Sequence, residues 1–502
     1  MDTGLKNALK TVQGTLAIAE KYQHACHVLT FDQETICPPE SIEEQGEVTA
    51  FLEDKAYRLR KRQRFIAAAQ TLYEGREQLD ERDRILAESL HREYLRTKNV
   101  TPAINHHFSL VYNRAFVAWL KAKKNDDFAM FAPALQEVLA AEKKKIALME
   151  EALPDPYDNL LGIYERGMTV KTLDAAFGAC KERLIPLLKE IVRSKKVIRT
   201  EFLSRPVTDD QQRRMAQALL EIMGFDFSRG AFSTTEHPFT DSMGRNDTRV
   251  TTHYHPTQFL SSVYSVIHEG GHALFEQMYP REDYDHHIND QMTMGQHESV
   301  SRFYENRIGR SREFIDLIWP VARGIFPDVL KDVTPQELYR AVNVVSPSLI
   351  RTEADEFTYT FHIIIRYEIE RALLSGNLCV GELPNVWSDL YDRYLGVRPD
   401  RAADGVLQDV HWTGGFGYFP AYALGNMYNA MYTRRMSEEF SLEDAVGRGD
   451  FSRINGWMRE HVFQKANRLD AAQWIREITG RGMTPQDFLD YLEKKYCELY
   501  GL

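Results

Sequence analysis

Two histidines stand four residues apart, His268 and His272, in the stretch VIHEGGHALFEQ at 266–277. On a helix, side chains at i and i+4 share a face with Cβ atoms about 6 Å apart, so both imidazoles can bond one zinc ion at about 2.0–2.1 Å. They supply half of a tetrahedral site. Glu269 is turned about a hundred degrees round such a helix, too far to ligate with them but well placed to hydrogen-bond a water and take its proton. A catalytic zinc needs a third protein ligand and keeps its fourth position open. Glu276 rises about 12 Å along the axis from His268 and cannot share its metal, and Phe275 and Met278 stand where a metzincin extension requires glycine and histidine. QHESVSRFYENR at 296–307 puts Glu298, Arg302 and Glu305 on one face of a second helix, and Glu298 is the expected third ligand. The competing role for Glu298 is a surface pair with Arg302 at i+4. His297 is the rival ligand, with His286, His287 and Asp290 of the DHHIND segment behind it.

Such a centre hydrolyses peptide bonds, with the metal polarising the scissile carbonyl and Glu269 as general base. A donor for the developing oxyanion is still required. HWTGGFGYFPAYALGN at 411–426 offers His411, Tyr418 and Tyr422 in a glycine-rich turn entering a helix. Arg351 in SLIRTEADEF either pairs with Asp355 at i+4 or presents its planar fork to the free carboxylate of a peptide.

The elements that must hold these groups are mostly helical. Leu5, Leu9, Val12, Leu16 and Ala19 recur at three- and four-residue steps, and further amphipathic stretches run over 41–69, 80–95, 101–123, 132–153 and 172–194. Charged runs such as EKKKIALMEE read as solvated helix faces. The exception is 230–256, rich in Ser, Thr and aromatics with a GRND turn, which predicts a small antiparallel sheet beside the motif helix. Gly270 and Gly271 each cost about 1 kcal/mol relative to alanine inside a helix, which predicts close approach of another segment or of substrate.

Composition narrows the classes further. With 502 residues, 43% hydrophobic and 27% charged, the chain reads as globular, and no apolar run reaches membrane-spanning length. A net charge of -11 gives nucleic acid no general reason to bind. Five scattered cysteines without a CxxC pair, and an N-terminus without a signal-peptide pattern, predict reduced thiols in a cytoplasm. No repeat or flexible linker divides the chain, so residues 1–502 are expected to form one catalytic domain, an N-terminal helical half over 1–200 and a metal-binding half over 201–502.

Eight ordered segments resemble the carboxypeptidase Taq family of metallocarboxypeptidases. They are FDQETICPP (31–39, for the family's WDQxTxMPP), YERGMT (164–169), HPFT (237–240), DTRVT (247–251), HEGGH (268–272), HESVSR (297–302), IRTEAD (350–355) and GVLQDVHW (405–412). Phe31, Cys37 and Val300 depart from the usual Trp, Met and Gln, which bears on local packing and on no expected ligand. The resemblance implies a mainly α, saddle- or cowrie-shaped fold with a deep substrate groove, a zinc ion with cobalt as alternative, a homodimer, and release of single residues from peptides with a free C-terminus. Carried over by position, His268, His272 and Glu298 are ligands, Glu269 is the base and Arg351 serves the substrate carboxylate. His237 belongs to the substrate site, and Asp247, Arg249 and Thr251, with Gln408, Asp409 and His411, close the groove's far end and restrict substrate length. Three readings compete: an internally cutting oligopeptidase, a dipeptidyl carboxypeptidase, and a non-catalytic helical peptide-binding protein.

Overall fold

The computed structural model describes residues 1–502, and the chain folds as a succession of helices interrupted by one small sheet. The helices begin where the sequence supplies a cap: Asp80, Thr101 and Thr169 each accept a hydrogen bond from the backbone amide three residues on, opening helices Glu81–Thr97, Pro102–Asn125 and Val170–Arg193. The single helix expected over 41–69 is two, Ile42–Arg60 and Gln63–Glu74, because the chain turns at Lys61-Arg62.

Two hydrophobic clusters result. Side chains from Phe108 to Tyr500 form one continuous core. Leu5, Val12 and Leu16 of helix Thr3–Thr35 pack instead with Phe65, Leu72, Leu86 and Leu90, and with Ile288 from the body, in a separate cluster. The N-terminal helices therefore form a layer of their own, and the chain from Pro102 onward belongs to the main core.

The sheet has strands β1 (Gly230–Thr234), β2 (Thr240–Gly244) and β3 (Asp247–Thr252) in the order β1-β3-β2. β2 and β3 are the expected antiparallel hairpin, with Asp241 opposite Arg249. β1 pairs with β3 in parallel, so the sheet is mixed. The connection 235–239 carries the chain past the edge of β3 and brings β2 in on its other side, which no turn signal in the sequence encodes. Thr235 Oγ1 donates to the Glu34 carbonyl, and Phe31 meets Phe239 edge to face with centroids 5.8 Å apart. Phe31 also lies beneath the Arg249 guanidinium, 4.9 Å from its ring, so the smaller aromatic still joins the first helix to the sheet.

Helix Phe259–Met278 carries HEGGH and abuts the sheet. A Cβ on Gly271 would lie 2.8 Å from the Ser301 Cα and 3.2 Å from the Val300 carbonyl oxygen. The bare backbone therefore serves another segment, the helix Met294–Arg302 that carries Glu298. Gly425 plays the same part on helix Pro420–Met436, where a Cβ would stand 2.9 Å from Glu298 Cγ. Three helices meet at the expected ligands because glycine lets them.

Candidate metal centre

The side chains of His268 and His272 are 19% and 15% exposed and that of Glu298 is 9% exposed, sunk below the surface yet reachable. Glu298 Oε2 lies 3.7 Å from His268 Nε2 and 3.6 Å from His272 Nε2, and the donor atoms of the three residues all fall within 4.8 Å of one another. Tetrahedral bonds of about 2.0–2.1 Å set donors roughly 3.3–3.4 Å apart, so this trio fits a zinc-sized cation with little adjustment. Two nitrogens and one carboxylate oxygen leave a fourth position for water or substrate.

Neighbouring hydrogen bonds aim these atoms. His268 Nδ1 donates to Glu305 Oε2 at 2.9 Å, which leaves the Nε2 lone pair directed at the shared point. His297 Nε2 lies 3.0 Å from Glu276 Oε1 and donates to it, so His297 Nδ1 accepts from His272 Nδ1 at 2.5 Å. That relay frees His272 Nε2. It also assigns His297 and Glu276 to orienting His272, with neither ring nitrogen of His297 left for a metal. His286, the other alternative, hydrogen-bonds Asp83 at 2.7 Å, and His287 pairs with Glu20 at 2.5 Å, both away from the centre. Asp290 accepts from Gln291.

The pairing of Glu298 with Arg302 at i+4 is present as well, at 2.7 Å from Arg302 Nε to Glu298 Oε1, but in the interior. The two readings of Glu298 coexist, since one oxygen faces the guanidinium and the other the imidazoles. Burial alone would lift the Glu298 carboxyl; Arg302 and His268 outweigh it and hold it well below the usual carboxylate range. Burial, reinforced by His297, pulls His272 down to about 3, so its imidazole is neutral and metal-competent at pH 7. Past Arg302 the helix widens into a π-helical turn, Phe303–Gly309, which includes Glu305. Arg302 Nη1 at 3.0 Å and Arg310 Nη2 at 3.3 Å hold Glu305 in turn.

Glu269 is buried beside this set, its Oε2 accepting from Thr240 Oγ1 of β2 at 2.8 Å. Burial raises its pKa. Thr240, inside HPFT, is a partner of Glu269 that the sequence alone does not single out.

Arg351, Gln408, Asp409, His411, Tyr418 and Tyr422 fall into a second cluster, while His237, Asp247, Arg249 and Thr251 stay with the sheet. Arg351 directs Nε and Nη2 at Asp409, at 2.7 and 3.2 Å, and Nη1 at Tyr359 OH at 3.2 Å. Its partner is thus Asp409 rather than Asp355, whose carboxylate accepts from the Ser346, Phe357 and Thr358 amides. Asp409 also bonds His411 Nδ1 at 2.9 Å. His411 stacks on Tyr418, with ring centroids 5.7 Å apart, and Tyr418 meets Tyr422 at 5.1 Å. Tyr359 joins the two clusters, because the Arg302 guanidinium lies 4.3 Å from its ring. Gln408 braces this loop by accepting from the Arg351 amide and donating to the Leu349 carbonyl. On β3 the Arg249 fork closes on Asp247 at 2.9 and 2.8 Å, and buried Thr251 donates to the Phe239 carbonyl. His237 is exposed between β1 and β2.

Glu165 of YERGMT is a further buried acid near the centre. It accepts from the Gly295 amide at 2.7 Å, Thr293 Oγ1 at 2.9 Å and Tyr428 OH at 2.9 Å, tying the Glu298 helix to helix Pro420–Met436. Burial outweighs these donors and lifts its carboxyl from 4.5 to about 7. The folded protein therefore holds an extra proton between those values, and the associated stability is complete below about pH 4.5 and lost as pH rises through 7. At about 1.4 kcal/mol per pH unit the loss is about 3 kcal/mol. Glu165→Gln, which cannot ionise, should flatten that part of the curve. Urea midpoints from pH 5 to 8 that fall equally in both proteins would contradict the assignment.

The chain is similar to known proteins along almost its whole length. The sequence profile described as carboxypeptidase Taq (M32) metallopeptidase matches residues 11–496. Carboxypeptidase 1 of Bacillus subtilis (strain 168) is 36% identical over 483 residues, covering 96% of each chain. Thermostable carboxypeptidase 1 of Thermus thermophilus is 41% identical over 393 residues, 76% of this chain and 77% of the relative. Among solved structures, an M32 carboxypeptidase from Deinococcus radiodurans R1 superposes with a TM-score of 0.94 at 31% identity over 100% of both chains, and Pyrococcus furiosus carboxypeptidase with 0.93 at 31% over 99% of both. No helix is long and apolar enough to cross a membrane. A profile match across almost the whole chain, together with these relatives, shows that the chain belongs to the carboxypeptidase Taq (M32) family and is a metal-dependent carboxypeptidase.

Proposed function

We propose that this protein is a zinc carboxypeptidase that releases single residues from peptide C-termini, with His268, His272 and Glu298 as ligands and Glu269 as general base. The observation that carries the reading is the convergence of two Nε2 atoms and one carboxylate oxygen, within 4.8 Å of one another, beside a buried glutamate. A cation held by His268, His272 and Glu298 would supply Lewis acidity to a water and to the scissile carbonyl. Glu269, fixed by Thr240, takes the proton from the attacking water and returns it to the leaving amine. His411, oriented by Asp409, and the phenols of Tyr418 and Tyr422 are the donors available to the carbonyl oxygen as it gains charge. The role of Arg351 is refined: with its fork on Asp409, it orders the Asp409–His411 pair and lends positive field to the end of the site where the terminal carboxylate arrives. Asp247, Arg249 and Thr251 on β3, and Gln408 and Asp409 beside Arg351, are assigned to the groove walls on the family resemblance. Zinc in preference to cobalt, a cytoplasmic setting and a homodimer belong to the same reading and rest on the family resemblance.

A matched pair of blocked dipeptides, one with a free C-terminus and one amidated, tests the specificity. The free acid should be cleaved at least about 10²-fold faster in kcat/KM, since the site would lose its ionic partner in the amide. Equal rates would favour an internally cutting oligopeptidase, and a dipeptide as first product from a longer substrate would favour a dipeptidyl carboxypeptidase.

A further inference from the structure

The DHHIND segment, 285–290, contributes nothing to the metal centre, yet it is where the body of the molecule grips the N-terminal layer. It lies in the connection between the two ligand-bearing helices, Phe259–Met278 and Met294–Arg302. Ile288 is fully buried in the N-terminal cluster, whose other members all lie between Leu5 and Leu90. Polar contacts to the same layer flank it. Arg82 Nε donates to buried Asp283 at 2.9 Å, His286 Nδ1 pairs with Asp83 Oδ1 at 2.7 Å, and His287 Nδ1 with Glu20 Oε1 at 2.5 Å. His287 has φ 57°, in the left-handed region that a side chain makes costly, and it is held there between buried Ile288 and the Glu20 contact. Along the same seam His27 Nδ1 pairs with Asp241 Oδ2 at 2.8 Å and His24 Nδ1 donates to the Met243 carbonyl, so helix Thr3–Thr35 also meets β2.

Three of these four rings face carboxylates across the seam. A neutral imidazole gives a carboxylate one ordinary hydrogen bond, an imidazolium a charge-assisted one of roughly twice the strength, and the two forms exchange at about pH 6.5. The groups around the rings are acidic. The bond to Asp241, with Glu276 and Glu53 beyond it, raises the pKa of His27 against the effect of burial. His286 has oxygens of Asp83 and Asp80 within 4.8 Å and Asp285 beside it in the chain. His287 has Glu20. The arginines of this stretch are already engaged, Arg82 by Asp283, Arg245 by Asp285 and Arg281 by the Asn246 side chain.

We propose that His27, His286 and His287 act as a proton-operated latch: charging the rings tightens the N-terminal layer onto β2 and onto the connection between the ligand-bearing helices. The docked layer holds these protons more firmly than the undocked one, so the added grip is present below the histidine range and is lost as pH rises through it, from about 6 to about 8. Its lower bound is about pH 5, where the carboxylates begin to take up protons. Asp241 adjoins Thr240, which holds Glu269, and residues 285–290 precede the Glu298 helix. Loosening the layer therefore frees the segments on either side of the metal centre without removing an expected ligand. The inference concerns docking of the layer and holds whichever metal occupies the centre.

Hydrogen exchange of the metal-loaded full chain, read by mass spectrometry at about pH 6 and about pH 8 with times scaled for the intrinsic rate, tests the latch. As pH rises, protection in peptides covering 5–16 and 281–290 should fall at least about tenfold more than in helix Tyr359–Ser375 of the main core, the equivalent of one pKa unit. The combined variant His27→Asn, His286→Asn, His287→Asn keeps a side-chain donor at each position, and asparagine tolerates the φ of 57° at 287, but none of the three can take up a proton. It should show the weaker, high-pH protection at both pH values. Glu20→Gln, at an exposed position, is the gentler companion and should shrink the response with the fold intact. Glu165 titrates alike in all three proteins and cancels. Equal seam protection at the two pH values in the parent would overturn the proposal, as would an undiminished response in either variant.

Discussion

Glu269→Gln should retain a full complement of metal while kcat on a blocked peptide falls by about 10³-fold, within the range that a positioned general base contributes. The amide matches the carboxylate in shape, and its oxygen can still accept from Thr240 Oγ1, now 2.8 Å from Glu269 Oε2. What disappears is basicity. No hydrogen bond between Glu269 and the three expected ligands is present to be lost, so the ligand trio and its orienting partners stay in place. KM should change little, because the proton transfer contributes in the transition state and not in ground-state binding. Metal analysis and turnover on the same preparation decide the matter: a fully loaded variant within tenfold of the parent kcat would remove Glu269 from the mechanism.

The convergence of His268, His272 and Glu298 was legible because helix geometry is local. An i,i+4 pair of imidazoles, a glycine at 271 and a second helix with Glu298 suffice to predict convergence, and the close approach at Gly271 is the one the sequence implied. Caps such as Thr101 and Asp80 were legible for the same reason. What escaped the sequence depends on partners far along the chain or on backbone that departs from the α period. Arg351 and Asp409 are 58 residues apart, so the i+4 alternative, Asp355, was the visible partner and the wrong one. Glu305 shares the face of Glu298 and Arg302, but that it bonds His268 Nδ1 depends on how two helices far apart in the chain pack together. His297 looked like a ligand because a ring nitrogen is a ligand wherever it is free; only the bonds to His272 and Glu276 show that both of its nitrogens are engaged. The parallel strand was hidden likewise, since pairing is set by the path of 235–239 and not by strand composition.

Glu298→Ala separates the two roles that the structure gives this residue. Its loss removes one of three donors, so metal affinity should fall by more than the 10–100-fold typical of altering an orienting partner. It also strips Arg302 of its 2.7 Å contact in the interior, leaving that guanidinium to Glu305 alone. Removing one member of a buried ion pair costs about 3–5 kcal/mol, and the surviving Glu305 contact sets the expectation at the lower end. His297→Ala is the informative comparison. It deletes the acceptor for His272 Nδ1 but no proposed ligand, so metal should be retained with affinity reduced by about 10–100-fold and turnover reduced in proportion to occupancy. Competitive titration of both variants against a chelator of known zinc affinity gives the ranking directly. The order Glu298→Ala far weaker than His297→Ala follows from a carboxylate oxygen 3.7 and 3.6 Å from the two Nε2 atoms. The reverse order, or stoichiometric metal in Glu298→Ala, would transfer the third ligand to the imidazole of His297 and require its bond to Glu276 to break on metal binding.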